Sequence, residues 1–391
     1  LLSKFRILTL SIFASALSIG CASAQQTFVF VERLGPNGLV KEKFQGTIVN
    51  GDTIRQGRYL YYFDDGVLQQ EGYYRDGKPD SVWITYHPNG ARLSLFHYAK
   101  GKKDGEFIFW NSDGTVYQRG PYRANFLNGE LFTFFSSGKV SAKSTYLNGK
   151  LSGRSEVYDE LGRLRLRCDY LNDTINGLWE SYYDSGELNY RGTKRRGQYH
   201  DTLYTYYKNG QLMRKVFYRN GKIDGILQSY HENGAPQIVS MYKNGNQDGS
   251  FTEYHPNGQV KENGLYKNNL KEGEWISFYP NGQIHGKGQF INNLLEGEWV
   301  FYWENGNLKQ IGNYCKGKAC GRWRYFNNLG VLIVYGFYVD DKQFDIWTTF
   351  YPNGRLAARI LYVSGKPTAA KWLYDETGTL HRKWVVEGLS K

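Results

Sequence analysis

Hydrophobic and polar positions recur along this chain every 24 residues. The pattern is anchored by a glycine that appears at Gly66 and at each twenty-fourth position to Gly378, fourteen times without insertion or deletion. With that glycine numbered zero, an aromatic stands at −4 in every unit, from Tyr62, Tyr86 and Trp110 to Phe350 and Tyr374. An aliphatic residue stands at +2 in twelve of the fourteen, with Arg92 and Pro236 as exceptions. Tyr or Phe follows at +8 (Tyr98, Tyr146, Phe290, Tyr338), a row that Lys194 breaks. Position +11 is Gly, Asn or Asp, as in Gly101, Asn125, Asp173 and Gly221. A fixed period of this length means one supersecondary unit copied many times.

The turn chemistry says what the unit is. Pro88-Asn89-Gly90, Pro256-Asn257-Gly258, Pro280-Asn281-Gly282 and Pro352-Asn353-Gly354 place proline, asparagine and glycine where a three-residue hairpin loop with a glycine bulge requires them. Folding about that loop sets the aromatic at −4 against the aliphatic at +2, a stabilising cross-strand pair. A second turn is predicted near +11, where Asn148-Gly149 and Asn220-Gly221 carry the tight-hairpin signal. No segment sustains a helical period. The predicted fold is therefore all-β: an elongated antiparallel meander of about fourteen 24-residue β-hairpin repeats, a single-sheet solenoid. One unit buries too little apolar surface to fold alone and needs its neighbours. A further large residue recurs at −7 (Trp83, Phe107, Trp179, Phe251, Trp275, Trp299, Trp323, Trp347). It lies an odd number of residues from −4, so either a bulge corrects the phase or both faces carry aromatics.

Composition changes the picture at the ends. Lys4 and Arg6, an apolar run from Ile7 to Ile19 and the small residues Ala22-Ser23-Ala24 read as a secretory signal peptide over residues 1–24. The same stretch contains Ser18-Ile19-Gly20-Cys21, a lipoprotein-like box that would leave Cys21 lipidated. Either way the expected location is outside the cytoplasm: periplasm, outer-membrane surface or secreted. Residues 25–54 are out of phase with the array and are expected to cap its first strand, although Pro36-Asn37-Gly38 repeats the turn signal. Residues 55–380 form the array, and residues 381–391 complete and cap the far end. Cys315 and Cys320 flank a second turn; an oxidising compartment would allow a disulfide between them, and two reduced thiols are the alternative. Cys168 reads as a small buried residue.

Gly273-Glu274-Trp275-Ile276-Ser277-Phe278-Tyr279-Pro280-Asn281-Gly282-Gln283-Ile284, with Gly264-Leu265-Tyr266-Lys267-Asn268-Asn269 for the second half of the unit, resembles the variant MORN repeat. The likeness covers roughly residues 55–380. It implies a β-hairpin repeat fold and a binding or scaffolding role. Bacterial proteins of this type are often described as antitoxin components of toxin–antitoxin modules, and eukaryotic arrays as protein scaffolds with links to phospholipids.

No phosphate-binding loop, nucleophile elbow or calcium loop is present. His87, His231 and His255 share position −3, but equivalent positions two strands apart are ~9.6 Å apart, too far to share one ion. The expectation is a non-enzymatic protein without cofactor or metal. The net charge of +12 suits acidic partners or anionic surfaces, and export argues against nucleic acid. The expected partner is a protein, including an exported toxin, bound along the aromatic sheet. The alternative is a glycan, cell-wall or anionic-lipid surface, with Trp275, Trp299, Trp323 and Trp347 as stacking candidates, set against the reading of these rings as packing core because their spacing follows the packing period. Lys194-Arg195-Arg196 is a further candidate contact, because there the +8 row breaks its own rule.

Overall fold

The computed structural model describes residues 5–9 and 27–384. Each 24-residue period becomes two antiparallel strands, as the turn signals require. In the repeat of Gly282, the strand Leu270–Phe278 enters the loop and Ile284–Ile291 leaves it. Gly282 N–H donates to Tyr279 O at 2.9 Å and Tyr279 N–H to Gln283 O at 2.8 Å. With φ of +85° at Gly282, this is the three-residue loop with a glycine bulge. The same bond pair occurs at all fourteen phase glycines. Phe278 stands opposite Ile284, Tyr62 opposite Leu68 and Tyr374 opposite Leu380, so the −4/+2 pairing is present.

The second turn has two central residues, both with positive φ: Asn220 at +50° and Gly221 at +77°, Asn268 at +48° and Asn269 at +67°. That is a type I′ turn, which explains why +11 is confined to Gly, Asn and Asp.

The phase of the −7 residue is resolved by a bulge that lies before it. Asn263 pairs with Ile276 and Leu265 with Glu272, so Gly264 alone opposes three residues, Gly273 to Trp275. The backbone has positive φ at this −9 position in repeat after repeat, at Gly57, Gly105 and Gly249 and also at Ser81, Asp201 and Asp345. From −7 to −4 the strand is then regular, and both faces carry aromatics. The bulge swings the Trp275 indole over Gly264, and Trp275 Nε1 donates to Leu265 O at 3.2 Å. Trp83, Trp299, Trp323 and Trp347 make the same bond to the residue after Gly72, Gly288, Gly312 and Gly336. The +8 tyrosines pack edge-on against these indoles, Tyr266 on Trp275 at 5.2 Å and Tyr338 on Trp347 at 4.9 Å between centroids.

Polar ladders join successive hairpin loops. Asn89 Oδ1 accepts from Ala91 N–H within its own loop, while Nδ2 donates to Ser112 O in the next. Asn257 and Asn281 repeat both bonds.

The chain resolves into two compact units, one of Leu1–Leu188 with Lys194–Gly197, the other of Asn189–Thr193 with Gln198–Lys391. In the first unit, β1 (Phe5–Thr9), β2 (Thr27–Leu34), β3 (Val40–Val49) and β4 (Asp52–Tyr62) pair in sequence. The loop of Gly38 has the same two bonds as the repeat loops. Val29, Val31 and Phe44 form one buried cluster with Tyr59 and Trp83, so this segment packs directly on the first repeat. Cys21 and Ala22-Ser23-Ala24 lie outside the described residues; of the expected leader only Phe5–Thr9 is described, as β1. In the second unit, the strand Leu380–Trp384 pairs with Lys366–Tyr374; residues 385–391 of the expected end cap lie outside the described residues.

Candidate functional site

The indole row forms one face of each unit, and the question is what the other face presents. The residue beside a core residue on a strand points away from it, so positions −6 and +5 share the outer face with the −4 aromatics. Position +5 is often basic: Arg119, Lys143, Arg167, Lys215, Lys287 and Arg359.

Arg167 shows how a member of the row can be neutralised. It stands in register with Glu156 on one side and Glu180 on the other, and its guanidinium reaches both, at 2.9 and 3.3 Å. Tyr158 and Tyr182 donate their hydroxyls to the same two carboxylates. Burial pushes the Glu156 carboxyl up, but the hydrogen bonds from Tyr158 and Arg167 outweigh it and hold it below its ordinary value. The bond to Glu156 also raises Arg167. Lys143 is paired with Glu130 at 2.7 Å.

Arg119 has no such partner. The residues in register with it are Ile108 and Phe132, and no carboxylate of the described residues lies within ion-pair distance. The exposed guanidinium instead sits 5.3 Å from the Phe132 ring centroid and 5.8 Å from that of Phe134. Two grooves meet at it. One, of about 510 Å³, is lined by Glu106, Ile108, Pro121, Glu130 and Phe132; the other, of about 400 Å³, by Thr115, Val116, Phe134, Ser136 and Ser137. In the second unit Lys287 lies between Ile276 and Val300, Lys215 between Tyr204 and Gln228, and Arg359 between Thr348 and Trp372. None of the three has an ion pair among the described residues. A cation without an ion pair keeps its charge available to an incoming anion.

The residues singled out from sequence are distributed differently. Trp275, Trp299, Trp323 and Trp347 are 2–7% exposed, which assigns them to the packing core and removes their ring faces from any stacking surface. Lys194 takes the place of the +8 tyrosine by laying its ammonium over Trp179 at 4.9 Å. Arg195 and Arg196 are exposed, and Arg196 is the first residue of a type I′ turn, its N–H donated to Asn176 Oδ1. Cys315 and Cys320 are joined by a disulfide across the Lys316-Gly317 turn, diagonally rather than directly opposed: Cys315 faces Lys318 and Cys320 faces Asn313. Cys168 is buried. His87 and His255 donate to the carbonyls of Trp110 and Phe278 in the following hairpin.

One Ser–His contact escaped the sequence reading because the bulge beyond the loop creates it. Ser277 Oγ lies 3.2 Å from His285 Nδ1 and 3.3 Å from Gly286 O. Burial, then Lys309, lowers the His285 pKa. Glu262, in the same groove, is taken by Lys271 at 3.1 Å. The outer basic row also went unnoticed. Its signal, a cation at a constant +5, was readable from the same alignment that revealed the aromatics.

Eight segments match the family described as MORN repeat variant: residues 55–76, 127–148, 175–193, 202–222, 223–244, 247–268, 271–292 and 295–316. No curated protein matches the chain. Among solved structures, the one titled "Crystal Structure of TcdB2-TccC3" aligns over 88% of this chain and 24% of its own, at 13% identity and a TM-score of 0.17. This chain thus spans about a quarter of that one.

Proposed function

We propose that this chain, eight segments of which match the MORN repeat variant, is a non-enzymatic binding protein whose partner is an acidic protein held on the outer face. The observation that carries the proposal is the slot of Arg119. Where Arg167 has two carboxylates of its own, Arg119 has apolar neighbours, two Phe rings and open grooves. A partner's Asp or Glu would supply the missing acceptor, and Phe132, Phe134 and Ile108 would exclude water around it. Lys215, Lys287 and Arg359 offer equivalent cations on the second unit. The net charge of +12 favours encounter with such a partner. The leader-like start supports placing this role outside the cytoplasm, and neutralisation of an exported toxin is the form of it that the family likeness suggests. Sugar stacking on the indole row is disfavoured by the burial of those rings.

The test is capture from a cell-envelope extract by the full chain, compared with Arg119→Gln and with Lys287→Gln/Arg359→Gln. The proposal expects an acidic protein that is retained at low salt, released as salt rises, and lost with the neutralised variants. Equal capture by wild type and both variants would overturn it.

A further inference from the structure

On the indole-bearing face, positions −5 and +4 stand in register, and where both are polar their side chains can satisfy one another. Thr85 and Ser94 share a 2.6 Å hydrogen bond, and Thr133 accepts from Gln118 at 3.3 Å. Thr205 and Ser229 lack such a bond. Thr205 faces Arg214, and Arg214 faces Ser229 on its other side. Thr205 Oγ1 and Ser229 Oγ are both buried, and no protein group among the described residues pairs with either. Two residues beyond Ser229 on the same face, His231 Nε2 is buried and unpaired as well, although His87 and His255 at the same −3 position each donate to a carbonyl. Arg214 is exposed and has no carboxylate partner among the described residues; the group that registers its charge is the Tyr242 phenol, which it lowers against the upward push of burial.

These four side chains are a guanidinium, two hydroxyls and an imidazole. All can donate, and among the described residues neither hydroxyl nor His231 Nε2 has a hydrogen-bond partner. Adjacent strands are ~4.8 Å apart, so Arg214 sits centrally with a hydroxyl on either side. We propose that Thr205, Arg214, Ser229 and His231 form an oxyanion-binding site, for a phosphate or carboxylate group. Arg214 stands between the two hydroxyls, and its exposed side chain would turn aside to open them to the anion while its charge stays with the ligand. The site lies on the face opposite the +5 row and does not depend on the acidic-partner reading above.

The test is isothermal titration of the full chain with inorganic phosphate and, separately, with acetate, at constant ionic strength. Arg214→Gln should weaken binding by at least about tenfold, since the charge-assisted bonds are the strong ones. The Thr205→Val/Ser229→Ala pair should weaken it severalfold while Arg214 is kept, and binding should shift the His231 imidazole resonances. Arg119→Gln should leave affinity unchanged. Circular dichroism establishes that each variant is folded. Phosphate preference points to a phosphate ligand and acetate preference to a carboxylate, and either supports the site. Absence of binding by both anions, affinity in Arg214→Gln equal to wild type, or an equal loss in Arg119→Gln would overturn it.

Discussion

The indole of Trp323 rests on the Cα of Gly312: a β-carbon built on that glycine would stand 2.1 Å from Trp323 Cδ2. Trp323 is 2% exposed, and its Nε1 donates to Asn313 O at 3.1 Å. A methyl group at Gly312 has to displace a ring that the neighbouring strands hold in place. Gly312→Ala is therefore expected to cost about 1–3 kcal/mol of unfolding free energy, as overpacking does in other interiors. Ser240→Ala, at the same +6 position beneath Phe251, removes rather than adds atoms and should cost less. Chemical denaturation with tryptophan fluorescence compares the two. Equal stability of Gly312→Ala and wild type would show that the indole can move aside freely.

That contact also marks what the sequence conceals. The phase glycines and the Asn-Gly steps announce both turns, because positive φ restricts residue choice so severely that the restriction is visible as composition. The −4/+2 pairing follows by counting outward from the loop. The bulge at −9 does not follow, since Ser81, Asp201 and Asp345 occupy it as well as glycine, and its effect is to carry Trp275 across to the previous hairpin. Without it the indoles look like candidates for a surface; with it they are core. The outer face was legible in part. Basic residues were visible, but whether Arg119 or Arg167 is neutralised depends on cross-strand register, in which Phe132 and Glu180 occupy matching places.

The disulfide replaces an ion pair. Arg219 and Asp224 stand at +9 and +14 of their repeat, as Cys315 and Cys320 do of theirs, and form a salt bridge of 3.2 Å; Arg75 and Asp80 do the same. A covalent clamp on a short loop is worth about 2 kcal/mol at most, through the unfolded state. An exposed ion pair contributes under about 1 kcal/mol. Reduction, or Cys315→Ser/Cys320→Ser, should lower the thermal midpoint more than Asp224→Asn does. Denaturation scans with and without reductant measure this. No shift on reduction would mean that the type I′ turn alone holds the hairpin closed.

The amino-terminal strands cover the first repeat. Phe44 is 5% exposed against Tyr59 and Trp83, and Glu42, 6% exposed, accepts from Arg33 at 3.0 Å and Arg55 at 2.8 Å. Removing residues 25–54 strips the partner strand from β4 and leaves both Tyr59 and an unpaired edge in water. Self-association on size-exclusion chromatography is the expected result. Phe44→Ala, which keeps the edge paired, should instead lower stability by about 3–5 kcal/mol without association. A truncated chain that runs as the intact one does would remove the capping role.

The array should fail on the alkaline side. Burial, with Glu71 as hydrogen-bond acceptor, pushes the Tyr86 phenol up to about 12, and burial with Glu156 does the same for Tyr158, also to about 12. Burial drives Tyr59 and Tyr325 higher still. An unfolded tyrosine ionises near 10, so the folded state holds its phenolic protons more tightly than the unfolded state. The stabilisation from these groups is complete below pH ~10 and is lost as pH rises through the folded values, because ionisation then favours the unfolded chain. Absorbance at the phenolate band should therefore rise in two steps. The phenols raised by burial titrate late, together with loss of the β-sheet signal in circular dichroism. Tyr86→Phe should remove one late-titrating phenol and move the alkaline transition upward. A single smooth titration near 10, with the sheet intact beyond it, would contradict the burial of the tyrosine rows.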